Sequence, residues 1–285
     1  MSPAGIGAET CVISSGRFVK WPSHREDAMV DRSAYLARIG YQGSVVPSME
    51  MLRGLHLAHV LTVPFENLDV HLGRPISLDP ADLFRKIVIS RRGGYCFELN
   101  GLFALLLEEL GFVVTRLAAR VLYGTEGVRP RSHQVLLVHL DGERWIVDVG
   151  FGGQGLGEPL PFVVGLEHRQ GPDQFRLTTG ERGEHVLQCD VEEAWADLYS
   201  FTLEPWLPVD YQFANYYHSH APDSPFVQRW MCTMPTLNGR KIFTGKLLKV
   251  RGLDGTQELH VTNEGECKQL LQEHFWLTIN DHLKS

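Results

Sequence analysis

The 285-residue chain has 44% hydrophobic and 21% charged residues, which is enough to bury a sizeable core and predicts a soluble globular protein with more than one subdomain. Its formal net charge of −7 argues against a nucleic-acid-binding protein, because such a protein needs a basic face. No apolar stretch approaches the roughly 18 to 20 residues of a membrane span, and the first residues lack the pattern of a secretory signal. We therefore expect a cytoplasmic protein without nucleic-acid or membrane partners, and the sequence leaves its oligomeric state open.

The five cysteines, Cys11, Cys96, Cys189, Cys232 and Cys267, are scattered along the chain without a C-x-x-C pair. This spacing indicates neither a disulfide framework nor a zinc site, so no metal is expected. For any one of them a free thiol without a special role is the simplest interpretation. A chemical role for a cysteine therefore needs further signals around it.

Up to about residue 112, the apolar residues recur at helical spacing. One segment follows a candidate N-cap at Asp31, a second begins after Ser48 and ends before Pro64, and a third follows the dipeptide "DP". The spacing and the caps together predict a helical bundle in this region.

The last helical segment of this region begins within "RRGGYCFELN" and continues into "GLFALLLEELG", so Cys96 is expected in or next to its first turn. The positive end of the helix dipole favours a thiolate there, and Arg91 and Arg92 would add positive charge. Gly93 and Gly94 would let the backbone turn sharply and leave room for a substrate to reach the sulfur. These features favour a reactive thiol, with a buried apolar cysteine as the alternative.

From about residue 113 to residue 210, the chain changes to short β-branched segments broken by Gly, Asp and Pro, such as "VVTRLAARVLYG" and "QFRLTTGERGEHVLQC". This pattern predicts a β-barrel or a meander. The remaining residues mix strand-like "GRKIFTGKLLKVRG" with a helical "EGECKQLLQEHF", which predicts a smaller α/β segment. The chain is therefore expected to be a multi-subdomain α+β protein.

Within the β region, "HQVLLVHL" and "ERWIVDVG" are joined by "DG", a strong signal for a two-residue hairpin turn. If the residues that flank this turn face each other, Val135 lies opposite Asp148. Side chains on a strand alternate with period two, so His133 shares a face with Val135 and lies one diagonal step from Asp148. The sequence thus predicts a carboxylate within reach of an imidazole.

His133 alone would be interpreted as an ordinary histidine at a strand end. Asp148 is harder to explain in this way, because it interrupts an apolar run and a buried carboxylate is costly without a partner. Cys96, His133 and Asp148 are together the parts of an activated-nucleophile triad, in which the carboxylate orients the imidazole and the imidazole takes the thiol proton. The hairpin by itself does not establish that Cys96 meets His133.

The hairpin is followed by "GFGGQG", whose glycines have the G-x-G-x-x-G spacing of dinucleotide-binding motifs. The segment leads into "LGEPLPF", which does not open a helix, and no βαβ unit surrounds it, so a Rossmann site is not expected. We interpret the segment as a loop beside Asp148 that lines a substrate channel, with Phe151 as an aromatic wall. A plain barrel turn is the alternative.

The stretches "RRGGYCFELN", "SHQVLLV" and "WIVDVGFGG" resemble the arylamine N-acetyltransferase family, which has an R-G-G-x-C-x-E-x-N motif and a Cys-His-Asp triad in this chain order. The resemblance extends from about "DRSAYLARIGYQG" almost to the C-terminus. It implies a helical bundle over residues 29–112, a central β-barrel over 113–210 and an α/β lid over 211–285, around a cysteine-protease-like Cys-His-Asp core. Residues 1–28 precede the usual start of the family and are interpreted as an N-terminal extension that need not be ordered, with an alternative start or an artificial leader as the other interpretations.

Residue by residue, the resemblance implies that Cys96 accepts an acetyl group from acetyl-CoA, that His133 is its base and that Asp148 orients the imidazole. The acetyl group then passes to an arylamine, an arylhydrazine or a hydrazide in a ping-pong sequence, as in xenobiotic metabolism. Phe65 and Phe151 are the implied lining of the substrate pocket.

The resemblance also implies contacts with the co-substrate. Arg129 and Arg131 in "RPRSH" lie just ahead of His133, where they could meet the phosphates of CoA, although solvated surface arginines are the alternative. Gly152 and Gly153 are the other expected contacts.

Two other functions remain open at this stage. One is an amide synthase that uses the same triad in a biosynthetic pathway. The other is a thiol hydrolase or crosslinking enzyme of the papain or transglutaminase type, since the same three residue types serve there. A binding protein without catalysis is the least favoured interpretation, because all three triad residues occur in matching contexts.

Overall fold

The computed structural model describes residues 30–191 and 193–283. The predicted N-terminal extension, residues 1–28, lies outside them, and so does Cys11. The described chain combines helices and sheets, as the sequence predicts. The helices are α1 (Arg32–Ile39), α2 (Met49–Thr62), α3 (Leu68–His71), α4 (Pro80–Phe84), α5 (Cys96–Glu109), α6 (Tyr211–His220), α7 (Pro225–Gln228) and α8 (Glu264–Phe275).

The predicted helix starts in the N-terminal region are confirmed by their caps. The Asp31 carboxylate accepts a hydrogen bond from the Ala34 N–H at 3.0 Å, and the Ser48 hydroxyl accepts one from the Met51 N–H at 3.2 Å. Helix α2 ends just before Pro64, where the ring stops a helix.

The third predicted helix is shorter than its apolar spacing indicates. Asp79 caps α4, and after Phe84 the chain widens into a π-helix over Arg85–Ile89. The π-helix carries Lys86, whose ammonium group forms an ion pair with the carboxylate of Glu98 on α5 at 2.6 Å. This segment therefore supports the helix that begins at Cys96.

The central region is an eight-stranded antiparallel sheet. Its strands are β2 (Val113–Val121), β3 (His133–Leu140), β4 (Glu143–Val147), β5 (Leu160–Pro161), β6 (Glu167–Gln170), β7 (Asp173–Thr179), β8 (His185–Val191) and β9 (Ala194–Pro205). The strand order in the sheet is β5-β4-β3-β2-β9-β8-β7-β6. The two edge strands, β5 and β6, are consecutive in the chain, and between them the Gly165 N–H donates to the Leu177 carbonyl of β7, so the sheet forms a nearly closed barrel.

Strand β3 is buried on both faces, which explains its continuous apolar run. Val135 and Leu137 belong to the core inside the barrel, whereas Leu136 and Val138 belong to the core shared with the helices. Because side chains on a strand alternate, this division places His133 on the inner face of the barrel with Val135. Helix α5 packs against the opposite face of β3.

The C-terminal region contains an antiparallel sheet of strands β10 (Met231–Thr236), β11 (Gly239–Thr244), β12 (Leu247–Gly252) and β13 (Gly255–His260). This sheet has a fifth strand that the sequence did not predict. Strand β1 (Phe65–Glu66) comes from the helical region and pairs with β10, with Phe65 opposite Thr233. The two segments are far apart in sequence, and a two-residue strand has no periodicity to recognise.

No helix within residues 30–191 and 193–283 combines the length and the apolar character needed to span a membrane. The order of elements follows the changes of pattern along the sequence. The division into three subdomains and the cytoplasmic location remain predictions.

The space beside Gly93 and Gly94 is filled by protein, not left open for a substrate as the sequence suggested. A Cβ atom at Gly93 would lie 2.0 Å from the carbonyl oxygen of Pro64, and one at Gly94 would lie 2.8 Å from the Cβ of Glu98. These glycines therefore allow the segment before Cys96 to pack directly on the segment that leads into β1.

We predict that Gly93→Ala destabilises the fold by more than about 2 kcal/mol, because the new methyl group meets a backbone atom that cannot move independently. Gly252→Ala is the matched control, since a Cβ there has nothing within 4 Å and its φ is not left-handed. Thermal unfolding followed by circular dichroism compares the two. A Gly93→Ala protein as stable as Gly252→Ala would contradict the close packing.

Candidate active site

Cys96 is the first residue of α5, so its side chain lies at the positive end of the helix dipole. The first turn is held by Glu98, whose carboxylate accepts a hydrogen bond from the Tyr95 N–H at 3.0 Å. The thiol is 4% exposed, and its sulfur lies 3.8 Å from the carbonyl oxygen of Ser132. The nucleophile predicted from the sequence is therefore buried at a helix N-terminus, next to the strand that begins at His133.

Of the two arginines before Cys96, Arg92 is already engaged by acidic side chains. The guanidinium of Arg92 is buried and pairs with the carboxylates of Glu66 at 2.7 Å and Asp69 at 3.0 Å. Its charge is therefore already balanced by two acidic groups. Arg91 is exposed. The added positive charge that the sequence predicted near the thiol is therefore largely offset at Arg92, because the fold brings two carboxylates from a distant segment against it.

The predicted hairpin register is confirmed. Leu140 pairs with Glu143 and Leu136 pairs with Val147, so the next pair along places Val135 opposite Asp148. Nε2 of His133 lies 2.7 Å from Oδ2 of Asp148, and both side chains are at most 3% exposed.

Asn100 connects this hairpin to helix α5, which begins at Cys96. Its amide nitrogen donates to Oδ1 of Asp148 at 2.8 Å and to the Gln134 carbonyl at 2.6 Å, and its amide oxygen accepts from the Val149 N–H at 2.9 Å. Asn100 is four residues after Cys96 and therefore on the same side of α5. No chemical step was assigned to Asn100 from the sequence, although its i,i+4 spacing from Cys96 was the signal that could have identified its role.

The electrostatics of the pair favour its charged form. Burial opposes protonation of His133, but the charge and hydrogen bond of Asp148, together with a hydrogen bond to Cys96, outweigh it and raise the pKa of His133 to about 10. Burial likewise opposes ionisation of Asp148, yet the imidazolium and the donors of Asn100 and Gly150 hold the pKa of this carboxyl below its ordinary value. The site can therefore store a proton on the imidazole while Asp148 stays negative.

A small cavity of about 20 Å³, which has room for little more than one water molecule, adjoins Asp148. Both residues that the sequence named as substrate-lining, and both glycines that it named as co-substrate contacts, line this cavity. The other lining residues come from the end of α2, the loop after β4, and β10. The lining residues are Val60, Val63, Phe65, Asp148, Val149, Phe151, Gly152, Gly153, Gly155, Leu156, Thr233 and Pro235.

The loop after Asp148 takes its shape from close contacts. Gly152 has φ +69°, and a Cβ there would meet the ring of Phe65 at 2.9 Å. The Gly153 N–H donates to the Thr233 hydroxyl at 3.0 Å, which ties the loop to β10. The segment forms no helix, in agreement with the prediction that its glycine spacing is not a dinucleotide-binding motif.

Aromatic rings shield the imidazole. The ring of His133 has its centroid 5.3 Å from that of Phe151 and 5.0 Å from that of Tyr199. Phe151, which the sequence predicted as an aromatic wall, thus packs on the imidazole together with Tyr199, which the sequence did not single out. Tyr199 is fully buried and Phe151 is partly buried, so together they limit the access of water to the imidazole.

The predicted CoA-contacting arginines lie on the loop between β2 and β3. Arg131 pairs with the carboxylate of Glu204 at 2.7 Å, and Arg129 is exposed. Their contact with CoA remains a prediction. Within the part of the chain that the structure describes, no group of three or more His, Cys, Asp or Glu side chains is arranged to hold a metal ion.

Comparison with known proteins shows the family of the chain. The sequence model of a family described as N-acetyltransferase matches residues 48–283. An arylamine N-acetyltransferase / N-hydroxyarylamine O-acetyltransferase from Salmonella typhimurium is 38% identical over 251 residues, which cover 87% of this chain and 89% of that protein.

Solved structures give the same result. The arylamine N-acetyltransferase of M. tuberculosis has a TM-score of 0.82 and 37% identity, with 86% of this chain and 93% of that chain covered. The Mycobacterium marinum arylamine N-acetyltransferase in complex with CoA has a TM-score of 0.81 and 33% identity, with 86% and 92% covered. The chain therefore belongs to the arylamine N-acetyltransferase family, and it is an acyltransferase.

We predict that Asp148→Asn shifts the alkylation of Cys96 to higher pH. Asn100 and the Gly150 N–H both donate to Oδ1 of residue 148. The side-chain amide of the variant therefore keeps its oxygen toward these two donors and turns its NH₂ group toward Nε2 of His133. The imidazole must then accept at Nε2 and carry its proton on Nδ1, so the nitrogen that faces Cys96 can no longer accept the thiol proton. The loss of negative charge also lowers the pKa of His133 from about 10. Alkylation by iodoacetamide over a pH series, followed by mass spectrometry, measures the shift.

The control for this experiment is Cys96→Ser, which reports any alkylation of the other thiols. Circular dichroism establishes that the Asp148→Asn protein is folded. A folded variant with the wild-type pH profile of alkylation would show that Asp148 does not control the imidazole.

Proposed function

We propose that this enzyme transfers the acetyl group of acetyl-CoA to arylamines, arylhydrazines or hydrazides by a ping-pong mechanism through acetyl-Cys96. The observation that carries the proposal is the His133–Asp148 pair, which lies beside a cysteine at a helix N-terminus in a chain of this family. The structure of the M. marinum relative in complex with CoA supports CoA as the co-substrate.

In the first half-reaction, His133 holds the proton of the Cys96 thiol, and the thiolate attacks the carbonyl carbon of acetyl-CoA. The carbon–sulfur bond to Cys96 forms, the bond to the CoA sulfur breaks, and the leaving CoA thiolate takes the proton from His133. One thioester replaces another. The charge of Asp148 stabilises the imidazolium while it carries the proton.

In the second half-reaction, the amine nitrogen attacks the acetyl carbon of the thioester. His133, now neutral, accepts a proton from the nitrogen, and the bond to the Cys96 sulfur breaks to release the amide and a thiolate. The thiolate and the imidazolium are then restored together. The aromatic wall of Phe151 and Tyr199 favours transfer to the amine over hydrolysis, because it keeps water from the thioester.

The remaining assignments follow from the same proposal. Phe65 and Phe151 would line the pocket for the aromatic acceptor, and Gly152 and Gly153 would contact acetyl-CoA in the cavity that all four residues border. The phosphates of CoA would meet the loop that carries Arg129 and Arg131. We also propose that the chain is divided into a helical bundle, a barrel and an α/β lid around a cysteine-protease-like core.

We predict that acetyl-CoA alone acetylates Cys96 stoichiometrically when no amine is present. The other described thiols are poor nucleophiles, because burial raises the pKa of Cys189 to about 12 and of Cys267 to about 11 and holds that of Cys232 well above its ordinary value. Intact mass spectrometry counts the acetyl groups and peptide mapping locates them. An acetyl group on another cysteine with Cys96 unmodified would contradict the assignment.

We predict that Cys96→Ser lowers acetyl transfer by at least about a thousandfold while the protein stays folded. A hydroxyl fits the space of the thiol, but His133 cannot keep it ionised near neutral pH. Steady-state transfer to an arylamine, measured beside a circular dichroism spectrum, checks this result. Comparable turnover by the folded variant would place the chemistry elsewhere.

A further inference from the structure

His56 is a fully buried histidine on α2 that contacts the site from the helical region. Its Nε2 lies 3.3 Å from the backbone nitrogen of Asp148, and its Nδ1 lies 3.0 Å from the carbonyl oxygen of Gly157. One side chain thus reaches both ends of the loop that follows strand β4.

The two partners determine the protonation of the ring. The Asp148 N–H can only donate, so Nε2 must accept and carry no proton. The Gly157 carbonyl can only accept, so Nδ1 must carry the proton. His56 is therefore a neutral imidazole in the Nδ1–H tautomer, and burial, which lowers its pKa to about 4, agrees with this form.

The loop between these two contacts borders the substrate cavity through residues 151–153, 155 and 156. Its far end has additional support, because the Gln170 amide oxygen accepts from the N–H groups of Gly157 at 2.9 Å and Glu158 at 3.1 Å. Its near end is the backbone of Asp148, the residue whose carboxylate contacts His133. A displacement at the near end would therefore move both the carboxylate and the loop.

We propose that His56 is a positioning residue for acetyl transfer: its Nε2 holds the backbone of Asp148 so that the carboxylate stays aimed at His133, and its Nδ1–H closes the loop over the substrate cavity. This inference rests on the proposed function. It assigns to α2 a part in alignment that is separate from the nucleophile on α5.

The two contacts can be separated by substitution. In His56→Gln the terminal amide reaches the position of Nε2, so it can accept a hydrogen bond from the Asp148 N–H but cannot make the hydrogen bond to the Gly157 carbonyl. In His56→Asn the shorter amide reaches the position of Nδ1, so it can donate a hydrogen bond to the Gly157 carbonyl but cannot accept one from the Asp148 N–H. His56→Phe keeps a ring of similar size and loses both contacts.

We expect His56→Asn to lower kcat by about tenfold or more with little change in the KM for acetyl-CoA, because a misplaced catalytic group slows the chemical step. We expect His56→Gln to keep kcat within a fewfold and to raise the KM for acetyl-CoA, because the loop that borders the cavity loses its hydrogen bond from Nδ1 of His56 to the Gly157 carbonyl. His56→Phe should show both effects.

His59 is the matched control. It is also fully buried on α2, three residues further along, and neither of its ring nitrogens has a hydrogen-bond partner among the residues that the structure describes. His59→Phe should therefore keep wild-type kcat and KM. Losses in His59→Phe as large as those in His56→Phe would overturn the proposal, as would wild-type constants in a folded His56→Phe protein.

Two measurements do not depend on acetyl transfer and separate this inference from the proposed function. Iodoacetamide alkylation of Cys96 should shift to higher pH in His56→Asn and not in His56→Gln, and equal profiles in the two variants would overturn the role toward Asp148. NMR of the wild-type protein with ¹⁵N-labelled histidine should show His56 as a neutral ring protonated at Nδ1. An Nε2–H tautomer or an imidazolium at neutral pH would overturn the proposal even if every His56 variant failed to fold.

Discussion

The buried carboxylate of Asp148 is the group on which the site depends. A lone carboxylate in a protein interior costs several kcal/mol, so its oxygens must be satisfied. Oδ2 faces His133, and Oδ1 accepts from Asn100 and from the Gly150 N–H. These donors come from a neighbouring strand, a helix and the following loop. Satisfying one charge therefore brings three separate segments together.

The contact between Asn100 and Asp148 also explains how Cys96, the proposed nucleophile, comes to lie near His133, its proposed base. Cys96 and Asn100 lie one turn apart on α5, so a helix docked through Asn100 presents Cys96 near the start of β3. The strand accommodates this helix because its second face is apolar and joins the helical core through Leu136 and Val138. Catalytic alignment and core packing are thus produced by the same interface.

A second buried network holds the start of α5. Lys86 pairs with Glu98, which caps the helix, and with Asp69, which is also a partner of Arg92. Arg92 in turn pairs with Glu66 on β1. Because each of these charges has opposite charges within hydrogen-bonding distance, the network can remain buried and still hold the first turn rigidly. The rigidity of this turn fixes the position of the thiol.

Much of the site could be predicted from the sequence because its signals are local. The caps of α1 and α2, the change from helical to alternating periodicity, and the Asp-Gly turn each depend on a few neighbouring residues. The turn alone sets the register that brings His133 to Asp148, since alternation along two paired strands leaves no other arrangement. The position of Cys96 at the start of a helix was also predicted correctly, because the start of a helix can be recognised from its apolar spacing.

Only the tertiary structure decided which distant groups meet. In the fold, Arg92 forms an ion pair with Glu66, and β1 pairs with the C-terminal sheet. Asn100 and His56 both form hydrogen bonds with Asp148. These contacts join segments up to about 170 residues apart, and no periodicity or turn relates such segments. These contacts follow from the packing of whole helices and strands against one another. Because a buried polar group is costly without a hydrogen-bond partner, the packing that is favoured is the one that supplies such partners. No local stretch of the chain shows which partners these are.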